Sequence, residues 1–288
     1  MRSMKAQDLI KHKELYLLNP PGLKSGDSSR AEKAQYHSSH RPKPGDCCEG
    51  LNGIVPSDKL ICAVSSRGDG NMSLTYGDTK DALNNRRDFL EGLAIDYKDL
   101  VCAAQVHGCS VRYVTEKDRG RGALAADTAI ADTDALITDI RGLPLAIFTA
   151  DCLSIFLYDP KRPALGLVHA GWRSTKENIV TETLRSMGKN FDTEAKDLLI
   201  GFGPAIRSCC YGVGSDFEDF FPGELIKKDR DYYLDLARIN LRQLLESGVI
   251  PGNIFDCRIC TFCRCEDFFS YRKEGISSGR MMSVAMLK

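Results

Sequence analysis

The sequence predicts a mixed α/β sandwich in one domain. Two observations carry that prediction. Short apolar runs of strand length recur between residues 60 and 202, with helical periodicity at 79–93, 174–188 and 235–247. Their order is strand pairs mixed with helices, without a strict βα alternation and without an internal repeat. A chain of 288 residues, 43% of them hydrophobic, can bury a large core without disulfide staples.

Taken in order, residues 7–18 read as one apolar strand or short helix. Residues 19–59 hold Pro20-Pro21, Ser28-Ser29, Ser38-Ser39 and Pro42-Lys-Pro44 and keep no period, so they read as a flexible insertion. The two units are therefore 1–59, the N-terminal strand with its insertion, and 60–288, the main domain. His37 and His40 in the insertion read as solvated side chains. Deleting 19–59 across a short linker is expected to leave soluble, folded, metal-competent protein, because the segment offers no apolar face to a core. Circular dichroism and gel filtration of the deletion check this; loss of soluble protein would show that the insertion packs on the domain.

Leu60 to Val64 reads as a buried strand. In 79–93, Ala82, Leu83, Phe89, Leu90 and Leu93 share one helical face. Val101 to Val106 and Val111 to Val114 read as strands around a turn at Gly108, and Asp134 to Thr138 as another. Leu145 to Phe148 and Leu153 to Tyr158 follow, joined through Thr149-Ala-Asp-Cys152, then Leu165 to His169. A helix capped by Ser174 or Thr175 buries Val180, Leu184 and Met187 and stops at Gly188. Leu198 to Phe202 is a strand, and 235–247 a helix with Ala237, Leu241, Leu244 and Leu245 inward, ended by Gly248.

Lys plus Arg equals Asp plus Glu at 39 each, which gives no electrostatic reason to expect nucleic acid or an anionic membrane as partner. The start has no apolar signal-peptide core, and no run of about 18 apolar residues exists. The expected location is the cytoplasm, where thiols stay reduced. The twelve cysteines then read mostly as small buried hydrophobes, with a few available as metal ligands.

His107, Cys152 and His169 sit at strand ends amid apolar sequence. Two imidazoles and a thiolate suit a catalytic zinc with an open fourth position. Spacing alone does not bring them together; otherwise each imidazole satisfies a buried hydrogen bond and Cys152 fills core. Asp151, adjacent to Cys152, is the candidate proton-transfer carboxylate, and the alternative for it is a turn residue bonding local amides. The two share a site only if a turn reverses the strand alternation between them. Arg173, placed just before the 174–188 helix, can hold a phosphate with that helix's N-terminal amides, or pack against Trp172. Arg67, Asn71 and Arg280 are weaker candidates for substrate contact. Cys257, Cys260, Cys263 and Cys265 approximate an iron–sulfur run, but the last spacing is one residue and no proline follows, so a second metal site is disfavoured.

Gln105-Val-His-Gly108, Asp134-Ala-Leu-Ile-Thr138, Thr149-Ala-Asp-Cys152, Val168-His-Ala-Gly-Trp-Arg173 and Gly203-Pro-Ala-Ile206 resemble the signature run of the YfiH-type proteins. Cys210-Tyr211, Val213-Gly214, Phe269-Ser-Tyr-Arg272 and Gly279-Arg280 continue the resemblance in order, and Gly77-Asp78 and Asn85-Arg86 precede it. It spans roughly residues 60–288. That family has been called both polyphenol oxidase (laccase domain) and purine nucleoside phosphorylase. The resemblance implies a four-layer α/β/β/α domain with zinc at His107, Cys152 and His169. It implies phosphorolysis of adenosine, inosine, guanosine and methylthioadenosine, with inorganic phosphate as co-substrate, and deamination of adenosine. Ser174, Gly212 and the stretch Ser66-Arg-Gly-Asp-Gly70 depart from the family pattern, which touches substrate preference more than the metal. Against this stand a copper phenol oxidase, a Cys152–His169 hydrolase acting on peptidoglycan precursors, and a non-enzymatic interaction protein. Multicopper catalysis needs roughly ten imidazoles, and the chain has five histidines.

Overall fold

The computed structural model describes residues 59–288 and the strand β1 (Tyr16–Leu17). His12, His37, His40 and the insertion up to residue 58 lie outside the described residues. The elements that follow β1 are β2 (Leu60–Val64), α1 (Thr79–Glu91), β3 (Val101–Cys102), β4 (Val111–Tyr113), β5 (Ala135–Thr138), β6 (Leu145–Thr149), β7 (Leu153–Asp159) and β8 (Ala164–Ala170). Then come α2 (Trp172–Lys176), α3 (Ile179–Phe191), β9 (Leu199–Phe202), β10 (Gly212–Val213), β11 (Ile226–Lys228), β12 (Asp231–Tyr233), α4 (Leu236–Glu246), β13 (Ile254–Asp256), α5 (Tyr271–Glu274) and β14 (Met281–Leu287).

The strands form a five-stranded sheet in the order β1-β2-β14-β6-β3 and a six-stranded sheet in the order β13-β9-β7-β8-β5-β4, with a small antiparallel β10-β12-β11 sheet beside them. Period-two alternation then builds the layers. Leu60, Cys62 and Val64 of β2, Leu145 and Ile147 of β6, and Met281, Ala285 and Leu287 of β14 meet Phe156, Tyr158, Leu165 and Leu167 of the six-stranded sheet in one core. Ile61, Ala63, Ala146, Met282 and Val284 point the other way, onto Phe89 and Leu90 of α1. Leu153, Ile155, Leu157 and Val168 leave the six-stranded sheet on its outer face and pack on Val180, Leu184 and Met187 of α3 and Ala237 and Leu244 of α4. The result is α/β/β/α in four layers. β7 and β8 are buried on both faces, which is why they read as continuous apolar runs.

Several expectations need correction. The strand expected over Val101 to Val106 ends at Cys102, followed by a single bridge at Ala103, and Val106 is 53% exposed. β3 and β4 do not pair around Gly108; they belong to different sheets. The helix expected from Ser174 to Gly188 is two helices, broken where Asn178 takes a left-handed conformation (φ 60°) that a short polar side chain tolerates. Ser174 is not the cap: the chain turns at Gly171, whose amide donates to the Ser174 hydroxyl at 2.9 Å. α3 runs through Gly188 and stops at left-handed Asp192. Of the inward set in α4, Leu245 is exposed. Among the described residues no helix is long and apolar enough to cross a membrane.

Candidate metal centre and cleft

The chain passes from the five-stranded to the six-stranded sheet twice at the same end of the sandwich, and each passage carries a candidate ligand. Between β3 and β4 it turns at His107, in left-handed backbone (φ 61°). Between β6 and β7 it turns at Asp151 (φ 83°), just before Cys152. Positive φ is costly at both residue types, so packing on either side must hold it. The Gln105 side chain supplies part of that hold. Its amide donates to the Phe148 carbonyl at 2.8 Å, and its oxygen accepts the Phe148 amide at 2.7 Å, fastening one passage to the other. His169 is the penultimate residue of β8, on the same side of the sheet as Leu165 and Leu167, and is buried.

The donor atoms of His107, Cys152 and His169 all lie within 4.8 Å of one another. Cys152 Sγ is 3.9 Å from His107 Nε2, and the imidazoles stand nearly perpendicular at 78°. Tetrahedral zinc with its usual bond lengths separates nitrogen and sulfur ligands by about 3.3–3.6 Å, so the Cys152–His107 pair at 3.9 Å is a few tenths of an ångström from the bonded spacing. A Cβ at position 171 would lie 2.9 Å from His107 Cδ2 and 3.1 Å from Cys152 Sγ, so any larger residue there would push on two of the three donors.

Asp134 organises the set. Its carboxylate accepts the amides of Val106, His107 and Gly108 at 3.2, 3.0 and 2.8 Å. It also meets His169 Nδ1 at 2.7 Å, which turns Nε2 toward the other donors, the arrangement typical of metal-bound histidines. Burial alone would raise the Cys152 thiol; the imidazoles of His169 and His107 outweigh it and bring it below the usual thiol range. Burial would lower His169, and the Cys152 and Asp134 charges raise it instead. Burial would raise Asp134, and its bonds to His169 and to the amides depress it overall.

Asp134→Ala is expected to strand three amide donors and release His169. The cost is about 3–5 kcal/mol of stability and on the order of 10- to 100-fold in metal affinity. Because the folded-state pKa of Asp134 is depressed, its contribution is present above the ordinary carboxylate range and is lost as pH falls through the folded value. Urea denaturation between about pH 3 and pH 7 should show the metal-free variant losing less stability on acidification than its parent. An unchanged acid limb would sink this role.

The three donors open into a cleft of about 710 Å³. Asp151 and Cys152 both line it, since the left-handed turn reverses the strand alternation. The Asp151 carboxylate accepts the Thr261 hydroxyl on one oxygen and the Arg272 amide on the other, each at 2.6 Å. Arg173 lines the cleft as the second residue of α2, not ahead of it, and lies 4.3 Å above the Trp172 ring. α2 has five residues, so the helix N-terminus expected to share an anion with Arg173 is not available in that form. Trp172 both borders the cleft and packs on Phe217 and Phe220.

Arg280 lines the cleft, held over Tyr76 at 4.1 Å. Arg67 and Asn71, expected at the substrate, are engaged elsewhere. Arg67 bonds the carbonyls of Cys265 and Phe268 and the Glu274 carboxylate. Asn71 bonds the Ser73 and Arg280 amides and the Tyr76 carbonyl, shaping the loop under Arg280. The residue-level reading missed Asp134, Gln105, Gly171 and Arg272 as site residues, although all four stand in or beside the matched motifs.

Residues 63–288 match the family described as multi-copper polyphenol oxidoreductase laccase. Purine nucleoside phosphorylase YlmD of Geobacillus stearothermophilus is 37% identical over 223 residues, 74% of this chain and 81% of that protein. Adenosine deaminase RL5, from an unknown prokaryotic organism, is 30% identical over 197 residues, 65% of this chain and 75% of that protein. The crystal structure of Bacillus licheniformis YfiH superposes with a TM-score of 0.76 at 32% identity, covering 80% of this chain and 93% of that one. A match across residues 63–288, a shared four-layer fold and relatives above 30% identity agree: the chain belongs to the multi-copper polyphenol oxidoreductase laccase family.

Proposed function

We propose that this protein is a zinc-dependent enzyme of purine nucleosides. It phosphorolyses adenosine, inosine, guanosine or methylthioadenosine with inorganic phosphate, and deaminates adenosine. The observation that carries this reading is one cleft with the His107–Cys152–His169 donor set on one side and the guanidinium groups of Arg173, Arg272 and Arg280 among its lining. The names of the relatives YlmD and RL5 point to the same two reactions.

His107, Cys152 and His169 would hold a zinc ion, which would supply Lewis acidity and a water activated near neutral pH. The chain's own groups do the rest. Tyr76, Phe148 and Tyr211 offer apolar faces to a purine. Among the described residues no carboxylate or carbonyl accepts from the Arg173 guanidinium, which leaves its planar fork for a phosphate oxygen pair. Arg272 and Arg280 each spend part of theirs on carbonyls, of Gly212 and of Ser278 and Gly279, and so hold fixed positive charge at the wall. Asp151 retains lone pairs beyond its two accepted bonds and stands beside Cys152, where it can take and return a proton.

The copper oxidase reading has less support: the site offers one ligand set for one ion, and the chain has five histidines. The lowered Cys152 thiol would also suit a cysteine nucleophile, but two imidazoles and a thiolate converging on one point match a chelate better. Metal analysis of the purified chain, with nucleosides screened with and without phosphate, tests the proposal. Phosphate-dependent release of free base by zinc-loaded protein is expected. Oxidation of phenols without turnover of any nucleoside would overturn it.

A further inference from the structure

A second cluster of donors lies outside the His107–Cys152–His169 site. The Sγ atoms of Cys209, Cys210, Cys260 and Cys263 all lie within 4.8 Å of one another. Cys263 is 3.6 Å from Cys209 and 3.3 Å from Cys210. A disulfide would bring two sulfurs to about 2.0 Å, and all four are free thiols. Tetrahedral zinc with Zn–S bonds of about 2.3 Å sets its sulfurs about 3.8 Å apart, close to these separations. Four thiolates this near one point suit a single ion and are too close to reach the separate irons of a cluster.

The backbone supports the same reading. Cys260-Thr-Phe-Cys263 is a Cys-x-x-Cys turn in which the amides of Cys263 and Phe262 are directed at the Cys260 sulfur, joined by the Arg207 amide from the facing loop. Amides aimed at a sulfur stabilise a bound thiolate. The two loops are already tied: Ala205 and Cys260 form a parallel bridge, and the Thr261 amide donates to the Ala205 carbonyl at 3.1 Å. The sequence-based run is only half right. Cys257 is buried in the core between the sheets, and Cys265 turns toward Glu266. Cys209 and Cys210, separated from the Cys-x-x-Cys pair by some fifty residues, complete the set.

We propose that Cys209, Cys210, Cys260 and Cys263 form a second metal centre, a tetrathiolate site for one zinc ion. It binds the Cys209–Cys210 turn to the Cys260–Cys263 turn. Both turns lead directly into cleft residues: Tyr211 follows Cys210 and lines it, and Thr261 within the second turn holds Asp151. The ion is therefore structural, with four protein ligands and no open position. Binding replaces four thiol protons by one divalent cation, leaving a net charge that the three amides on Cys260 partly offset.

The test uses the full chain, purified under reducing conditions and loaded with zinc. Cys260→Ser/Cys263→Ser protein is expected to hold about one zinc fewer per chain than its parent. Cys152→Ala/His169→Ala protein, in which the first site is broken, is expected to keep the cluster's zinc. The two sites thus fail separately. Should the paired serine variant not fold, the parent answers alone. Exposed Cys209 and Cys263 should resist iodoacetamide until a strong chelator removes the metal, as read by mass spectrometry of the alkylated peptides. Four results would each overturn the proposal: immediate alkylation of Cys209 and Cys263 in zinc-loaded protein; an unchanged zinc content in the serine variant; a disulfide among the four thiols; or iron in place of zinc.

Discussion

Cys152→Ala is expected to strip the cleft of the proposed zinc. The donor set offers three protein atoms, and this substitution removes the only anionic one. Structural zinc sites with four ligands bind with roughly 10–16 kcal/mol in all, so one thiolate accounts for on the order of 3–4 kcal/mol, about 100- to 1,000-fold in affinity. The two remaining imidazoles cannot make up the loss by moving. His169 is fixed by Asp134 at 2.7 Å, and His107 by its own left-handed backbone and the amides that flank it. Zinc content relative to the parent, after dialysis against a moderate chelator, is the readout, because metal held elsewhere cancels in the difference. Nucleoside turnover should fall with it. Full retention of zinc by the variant would mean that the ion does not sit between His107, Cys152 and His169.

Arg173→Ala should separate the two proposed reactions. Phosphorolysis needs an anion placed beside the ribose carbon, whereas deamination needs only water. The Arg173 guanidinium carbon lies 4.3 Å over the Trp172 ring, a contact that restricts the side chain before any ligand arrives and so lowers the ordering entropy lost on binding. Removing a charge-assisted contact of that kind should cost about 2–4 kcal/mol in phosphorolysis, roughly a 30- to 1,000-fold loss. Adenosine deamination should fall much less. Free base and inosine are followed separately while phosphate is varied. Equal losses in both reactions would mean that Arg173 supports the wall without holding the anion. Unchanged phosphorolysis would place the anion at Arg272 and Arg280, which share the same cleft.

His107, Cys152 and His169 stood out as candidates because each is a polar residue ending an apolar run, but only the family resemblance, not their spacing, grouped them as one ligand set. Their partners did not stand out. Asp134 acts through amides and an imidazole 26 to 35 residues away, a contact that no local pattern encodes. The strands with strong β-formers were legible, Leu153 to Tyr158 above all. β14, which lies between β2 and β6 in its sheet, went unread because Met281-Met-Ser-Val-Ala-Met-Leu287 carries a single β-branched residue. The break between α2 and α3 was hidden because the apolar face of α3 continues the periodicity across Asn178. The cysteine cluster was misread for a related reason: adjacency along the chain favoured Cys257 and Cys265, while the fold selects Cys209 and Cys210.

The two passages between the sheets also fix the order of events in biosynthesis. His107 and Cys152 are 45 residues apart, and each belongs to a turn that exists only once the chain has entered both sheets. His169 arrives later still, in the strand antiparallel to β7. A newly made chain therefore has nothing resembling this donor set until the two sheets have met, so an ion bound at the cleft would not nucleate folding as zinc does in small zinc-dependent domains. Metal loading of the proposed cleft site would then be a late step, on a chain whose two sheets have already come together. The rate of loading there would follow entry through the mouth of the cleft.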